Sequence, residues 1–267
     1  MAHRADDHYQ AQQLGLLSQE SHQKSAAKKI PQTEAIFDQV HQINQAADSA
    51  ADVLRLSIDA KATVTIGPFS RGGKSRVAVA AADHDFAPEA TVPPVGIFLP
   101  TLAELFVYGV TSQVTSDCLV DRLVPWWESV RERFPPLTTL VITLDNGPEN
   151  HRRRTQLMQR LIDCVKRYHV TVRLGYYPPY HSKYTPMERC WGIRENHWNG
   201  TLLDSLDTVL QCAKTMTWQG QHAIVALVTT AYETGVTLTK EAMQRVEAQI
   251  KRLPGLGKWF VDIVPPD

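Results

Sequence analysis

The hydrophobic positions change their spacing several times along the chain, and each change marks an element. Ile36, Phe37, Val40 and Ile43 recur at helical spacing within residues 34–48, whereas the opening 25 residues show little periodicity. At Val53 the period drops to two: Leu54, Leu56 and Ile58 alternate with Arg55, Ser57 and Asp59, which predicts a half-buried strand. Residues 62–66 continue the β-rich run, Gly72-Gly73 predicts a turn, and residues 76–80 and 104–110 predict two further strands. Strands that follow one another without a helix between them suit an antiparallel meander.

Helices then alternate with strands. Residues 116–133 read as a helix with Ser116 as its cap, and residues 137–144 as an apolar, buried strand. Residues 149–168 form a second helix with Leu157, Leu161, Ile162 and Val165 on one face. Residues 170–174 are a short strand, Pro178-Pro179 breaks it, and a helix starts near Pro186. The order β-β-β-α-β-α-β-α predicts an α/β fold, a mixed sheet flanked by helices. Residues 201–252 read as largely helical, before a Pro- and Gly-bearing tail that ends in Trp259-Phe260-Val261. The expected organisation is an arm over residues 1–50, a main domain over 51–200 and a mostly helical extension over 201–267.

Composition narrows the classes. A chain of 267 residues with 43% hydrophobic and 21% charged residues is neither disordered nor collagen-like. Lys plus Arg and Asp plus Glu number 28 each, which argues against a polybasic nucleic-acid coat. The first 30 residues are polar and show no secretory signal, and no run of 18 apolar residues occurs, so no membrane is expected. Cys118, Cys164, Cys190 and Cys212 are isolated, with no Cys-x-x-Cys pair; they read as reduced thiols of a cytoplasmic protein.

Three carboxylates stand where this topology can bring them together. Asp59 ends the alternating strand, Asp145 follows the apolar strand, and Glu188 opens the helix after Pro186. Carboxylates at the ends of adjacent strands, with a third on a helix start, make an oxygen cage suited to Mg²⁺ or Mn²⁺. Two such ions ~4 Å apart can activate a water or a 3′-hydroxyl and stabilise the leaving oxygen of a phosphodiester. Each residue also has a purely structural reading. Asp59 can terminate a strand, Asp145-Asn146-Gly147 is a good turn, and Thr185 with Glu188 spells a capping box.

The neutral total hides a local excess. Between Asp145 and Trp198 ten Lys and Arg residues face five acids, and His151-Arg152-Arg153-Arg154 follows Asp145 closely. Such a cluster can hold phosphates, and Tyr176, Tyr177, Tyr180 and Tyr184 can stack on unpaired bases. The competing reading is a solvated helix face beside a hydrophobic rim. Gly67 to Ser75 nearly spells a phosphate-binding P-loop, but five residues rather than four precede Gly73-Lys74-Ser75, and a strand follows. Arg71, Lys74 and Arg76 are instead candidates for DNA-backbone contact at a hairpin tip. No Gly-x-Ser-x-Gly elbow supports a serine hydrolase.

Leu144-Asp145-Asn146-Gly147-Pro148-Glu149-Asn150 and the run from Tyr177-Pro178-Pro179-Tyr180 through Thr185-Pro186-Met187-Glu188 to Trp191-Gly192 carry a resemblance. Ser57-Ile58-Asp59-Ala60-Lys61 and residues 69–76 support it. The sequence resembles the DDE transposases of bacterial insertion sequences, specifically the Rhodopirellula-type DDE domain, and more distantly the mariner-like superfamily. The match runs from about Lys28 to Pro265. The resemblance implies a ribonuclease H-like fold with a five-stranded mixed sheet, and carries Asp59, Asp145 and Glu188 over as the catalytic, metal-binding triad. Glu149 and Glu195 are reserve carboxylates. It implies Mg²⁺ or Mn²⁺ as cofactor, two ions in all, and DNA as partner, both element ends and target, with a homo-oligomer assembled on it. The expected DNA-binding residues are Arg71, Lys74, Arg76, Arg152, Arg153, Arg154, Lys183 and Arg189. Relatives usually carry an N-terminal helix-turn-helix region, whereas the first 50 residues here hold four Lys and Arg against six acids and no basic recognition helix. The chain therefore reads as the catalytic part alone. The competing functions are a non-catalytic DNA-binding remnant, or partner of an intact transposase, and a ribonuclease H-like nuclease that does not transpose.

Overall fold

The computed structural model describes residues 30–69, 90–145 and 150–266. Helix α1 (Thr33–Ser49) buries Ile36, Val40, Ile43 and Ala47, and of the four positions its spacing singles out Phe37 alone is only partly buried. Strand β1 (Val53–Ala60) follows, and a small pair, β2 (Val64–Ile66) and β3 (Ala90–Val92), stands apart from the main sheet. Strands β4 (Pro94–Leu99) and β5 (Glu104–Val110) complete an antiparallel meander with β1. Helix α2 (Ser116–Val130), strand β6 (Thr139–Leu144), helix α3 (Asn150–Tyr168) and strand β7 (Thr171–Tyr176) add two parallel strands beside β1. Helix α4 (Pro186–His197) then crosses back over β1 and β4.

The remaining segment departs from the expected helix. It contains only two short helices, α5 (Leu206–Thr215) and α6 (Lys240–Glu247), among strands β8 (Thr217–Trp218), β9 (Gln221–His222), β10 (Ile224–Val228), β11 (Ile250–Arg252) and β12 (Phe260–Ile263). Strand β10 pairs in parallel with β5, while β12 pairs antiparallel with β7 and β11 with β12. Among the described residues the main sheet therefore has eight strands, in the order β10-β5-β4-β1-β6-β7-β12-β11, and four of the five expected strands, β5, β1, β6 and β7, lie at its centre together with β4. Short apolar runs such as Ile224-Val225-Ala226-Leu227-Val228 suit either helix or strand by periodicity alone, and the open edge of β5 decides for strand.

Other differences are local. The second meander strand is β4, a continuous buried run without alternation, while residues 76–80 lie outside the described residues. Thr115, not Ser116, caps α2: its side chain accepts from the Cys118 N–H at 3.3 Å. All four cysteines are free, and burial pushes the Cys118 and Cys164 thiols up to about 11 and Cys190 up to about 12. Among the described residues no helix is long and apolar enough to cross a membrane.

The alternation in β1 sorts its side chains between two faces. Leu54, Leu56 and Ile58 join the main core with Leu140, Ile142, Leu174, Leu123 and Leu161, on the side of α2 and α3. Arg55, Ser57 and Asp59 fall on the opposite face. There Arg55 grips Asp48 of α1 with two hydrogen bonds of 2.7 and 2.6 Å. On that face a Cβ at Gly175 of β7 would stand 2.8 Å from Ile43 Cδ1, so the glycine lets α1 lie close on the sheet.

Candidate active site

Asp59 sits near the end of β1, in register with Gly96 of β4. On its other side Ile58 pairs with Leu144, the last residue of β6. Asp59 and Asp145 are therefore the next residues along two neighbouring parallel strands, at the same end of the sheet. Glu188 arrives from α4, whose start is fixed by Pro186 and by Thr185, whose side chain accepts from the Glu188 N–H at 3.3 Å. The Thr half of the expected capping box is thus formed, while the Glu188 carboxylate accepts from the Lys61 ammonium.

Trp191, three residues beyond Glu188 on α4, donates its indole N–H to Asp59 Oδ2 at 3.0 Å. Gly96 makes this reach possible. A Cβ there would stand 2.9 Å from Trp191 Cη2 and would also meet the end of Met187. Met187, Cys190 and Trp191 are fully buried with Phe98, Leu105, Val107 and Met216 in a satellite core that seats α4 on the meander.

Electrostatics single out Asp59. Burial pushes its carboxyl from the ordinary 3.8 up to about 7; the Trp191 hydrogen bond opposes this, and the Asp145 and Glu188 carboxylates add to it. No cation among the described residues is one of the groups that shift it. Among the described residues no three His, Cys, Asp or Glu side chains are drawn together tightly enough to enclose a metal ion, Glu188 being engaged with Lys61. The donor chemistry nevertheless fits a hard divalent cation: all-oxygen ligands, and mutual repulsion that a cation relieves.

The reserve carboxylates separate. Glu195 is exposed and bound within its own helix turn, accepting from Arg194 at 2.9 Å and from the Trp198 indole at 3.0 Å. Glu149 lies outside the described residues.

Much of the local basic excess serves the fold. Arg160 bonds Asp117 and Asp121, Arg167 bonds Glu128, and Arg173 bonds Asp262. Arg194 is 1% exposed, its guanidinium 4.5 Å from the ring centres of both Trp191 and Trp198. Lys183 and Arg189 remain exposed. Arg152, Arg153 and Arg154 occupy the first turns of α3, but their side chains are outside the described part, as are Arg71, Lys74 and Arg76 altogether.

The tyrosines divide in the same way. Tyr176 and Tyr177 are buried and unavailable for stacking on bases, whereas Tyr180 and Tyr184 are 64% and 48% exposed. The Tyr184 ring meets Phe37 of α1 edge-on at 5.1 Å, and the Lys183 ammonium stands 5.1 Å from the same ring.

Two residues in contact with the carboxylates, Lys61 and Trp191, received no role from the sequence. The signals were present: Lys61 follows Asp59 by two, the strand period, and Trp191 follows Glu188 by three, one helix turn.

The family model of the Rhodopirellula transposase DDE domain matches residues 10–265. The chain belongs to this transposase DDE family. No curated protein matches the chain. Among solved structures, the chain is similar to the Mos1 transposase paired-end complex with left transposon end, at a TM-score of 0.50 and 11% identity, covering 78% of this chain and 60% of that one. It is also similar to the mariner Mos1 paired-end complex with Mg, at a TM-score of 0.48 and 10% identity, covering 80% of this chain and 66% of that one. The first likeness concerns the fold, a ribonuclease H-like mixed sheet flanked by helices. The transposase DDE chain spans 60% of the length of the Mos1 chain it matches there.

Proposed function

We propose that this DDE-family chain is the catalytic domain of a transposase, which cleaves DNA at the ends of an insertion sequence and transfers the freed strand to target DNA. Asp59, Asp145 and Glu188 are the residues that hold its Mg²⁺ or Mn²⁺, two ions in all. The observation that carries this reading is geometric: Ile58 pairs with Leu144, so Asp59 and Asp145 follow at the same end of two neighbouring strands, and the charges of Asp145 and Glu188 both act on the buried Asp59. Bound divalent ions supply Lewis-acid stabilisation of phosphoryl oxygens and a lowered pKa for an attacking water.

The chain's own residues do the positioning. Asp59 and Asp145 follow Ile58 and Leu144, the last pair of the β1–β6 ladder, which brings both to the same end of the sheet. Trp191 fixes the Asp59 carboxylate through its indole N–H. Glu188 is carried on a helix start held by Thr185 and seated over Gly96. With water as the nucleophile such a site cuts a strand; with a DNA 3′-hydroxyl it joins one, by the same in-line displacement. Lys183 and Arg189 hold backbone phosphates without reading sequence, and Tyr180 and Tyr184 offer ring faces to unpaired bases. The partners are DNA and further copies of the chain assembled on it, in the compartment that holds the chromosome, the cytoplasm of a bacterium.

A second reading, a DNA-binding protein without catalysis, draws on the engagement of Glu188 with Lys61. One experiment separates the two. The purified chain is incubated with Mg²⁺ or Mn²⁺ and a supercoiled plasmid carrying the element ends, beside an Asp59→Ala, Glu188→Gln double variant. Metal-dependent nicking that the double variant lacks is expected. DNA binding with no nicking would leave the non-catalytic reading, and nicking retained in the double variant would remove these carboxylates from the site.

A further inference from the structure

Lys61 lies just past the end of β1, two residues beyond Asp59, so strand parity turns both side chains to one face. Its N–H donates to Pro94 O at 3.0 Å and carries the β1–β4 ladder one step further, which fixes the base of the side chain. The ammonium reaches α4 and donates to Glu188 Oε1. Neither partner is sealed off, the two side chains being 27% and 25% exposed. The same Glu188 lies near enough to Asp59 for its charge to act there.

We infer that Lys61 is a built-in counter-cation that neutralises Glu188 while the chain is metal-free, leaves it when a divalent ion binds, and then takes a phosphate of the bound DNA. Lys61 thereby couples metal binding to DNA binding. This inference rests on the reading of Asp59, Asp145 and Glu188 as metal ligands.

Three physical points support it. A carboxylate oxygen already accepting from an ammonium is a poorer ligand, so Lys61 and a divalent cation compete for Glu188. Solvent-accessible ion pairs are weak, which lets a doubly charged ion win that competition. Lysine also suits an exchange of partners: it is a point charge on a flexible stem, without the rigid fork by which arginine locks on to a carboxylate. Once released, the ammonium remains tethered beside the carboxylates through the Pro94 hydrogen bond, where the phosphate of a bound strand needs compensating charge.

The test uses the full chain and Lys61→Met, which keeps the stem and removes the charge, with Lys61→Arg as the charge-retaining companion. Mn²⁺ and Ca²⁺ binding is measured calorimetrically without DNA. Binding of a fluorescent duplex is measured by anisotropy with and without Ca²⁺, and thermal melting is recorded throughout. Losing the competitor should tighten Mn²⁺ binding about five- to tenfold in Lys61→Met, at the lower end of the usual range of site–site coupling. Ca²⁺ should tighten duplex binding about tenfold in the unaltered chain and no more than about twofold in Lys61→Met, with Lys61→Arg retaining part of the effect.

Unchanged metal affinity and coupling, with only a lower melting temperature, would make the ion pair a structural strut and overturn the inference. Weaker metal binding in Lys61→Met would overturn it too, because Lys61 would then be orienting Glu188 for the ion. The Asp59→Ala, Glu188→Gln variant marks the other failure. If the unaltered chain binds no more metal than this variant, the triad reading falls and the inference with it; metal binding that Lys61→Met leaves untouched removes the inference alone.

Discussion

Folded Asp59 keeps its proton to about pH 7, whereas an ordinary aspartate loses it at 3.8. Between these values the folded chain binds more protons than the unfolded one, so stability falls as pH rises through that window and levels off above it. The interval is worth at most roughly 4 kcal/mol. Urea unfolding of the metal-free chain should therefore give a lower midpoint at pH 8 than at pH 5. Asp59→Asn, which cannot ionise, should flatten most of that slope, and a slope that survives it would place the titrating group elsewhere. Mg²⁺ should restore stability at pH 8 in the unaltered chain, because a ligand that binds only the folded state stabilises it by mass action. Trp191 belongs to the same balance. Its indole N–H favours the charged carboxylate, in opposition to the burial that α4 imposes.

At the scale of elements the site depends on how α4 lies on the meander, and two glycines report on it in opposite directions. Gly96→Ala would push a methyl group into Trp191 and Met187. The flexible end of Met187 can yield, but the indole cannot without loosening its bond to Asp59, so a loss of roughly 1–3 kcal/mol is expected, as for overpacked cores. Metal-dependent nicking should fall with it while DNA binding holds. Gly192 is exposed within α4, and a Cβ there meets nothing within 4 Å. Gly192→Ala should therefore raise stability by about 0.5–1 kcal/mol, the helix-propensity difference, with nicking unchanged. A destabilised Gly192→Ala, measured by urea unfolding, would mean that this face of α4 is covered. The elements that carry the carboxylates were legible because each has a local signature: alternation in β1, an apolar run closed by Asp145 in β6, and a Thr-Pro-x-Glu start in α4. Strand β4 was not legible, since a strand buried on both faces loses the alternation that would announce it. Nor were β10 and β12, whose conformation is decided by the sheet edges they join, far away in sequence.

Over the whole molecule the same limit applies to charge. A count along the chain finds five more basic than acidic residues between Asp145 and Trp198, but it cannot see that Arg160, Arg167 and Arg173 are matched by Asp117, Asp121, Glu128 and Asp262 from outside that stretch. It also cannot see that Arg194 is enclosed between two indoles. Of the basic residues whose side chains are described in that stretch, Lys183 and Arg189 are the exposed ones closest in sequence to Glu188. If they touch phosphate, each releases about one counterion, so the double variant Lys183→Ala, Arg189→Ala should reduce the slope of log affinity against log salt by about 1.8. The loss should be similar for unrelated duplex sequences, because phosphate contacts carry no sequence information. Arg167→Ala should leave the salt slope unchanged and lower stability by no more than about 1 kcal/mol, the usual worth of an exposed ion pair. Anisotropy titrations of one labelled duplex across a salt series measure all three chains. A slope that falls with Arg167 and not with Lys183 and Arg189 would move the DNA path away from the α4 side of the carboxylates to the outer face of α3, and with it the substrate side of the molecule.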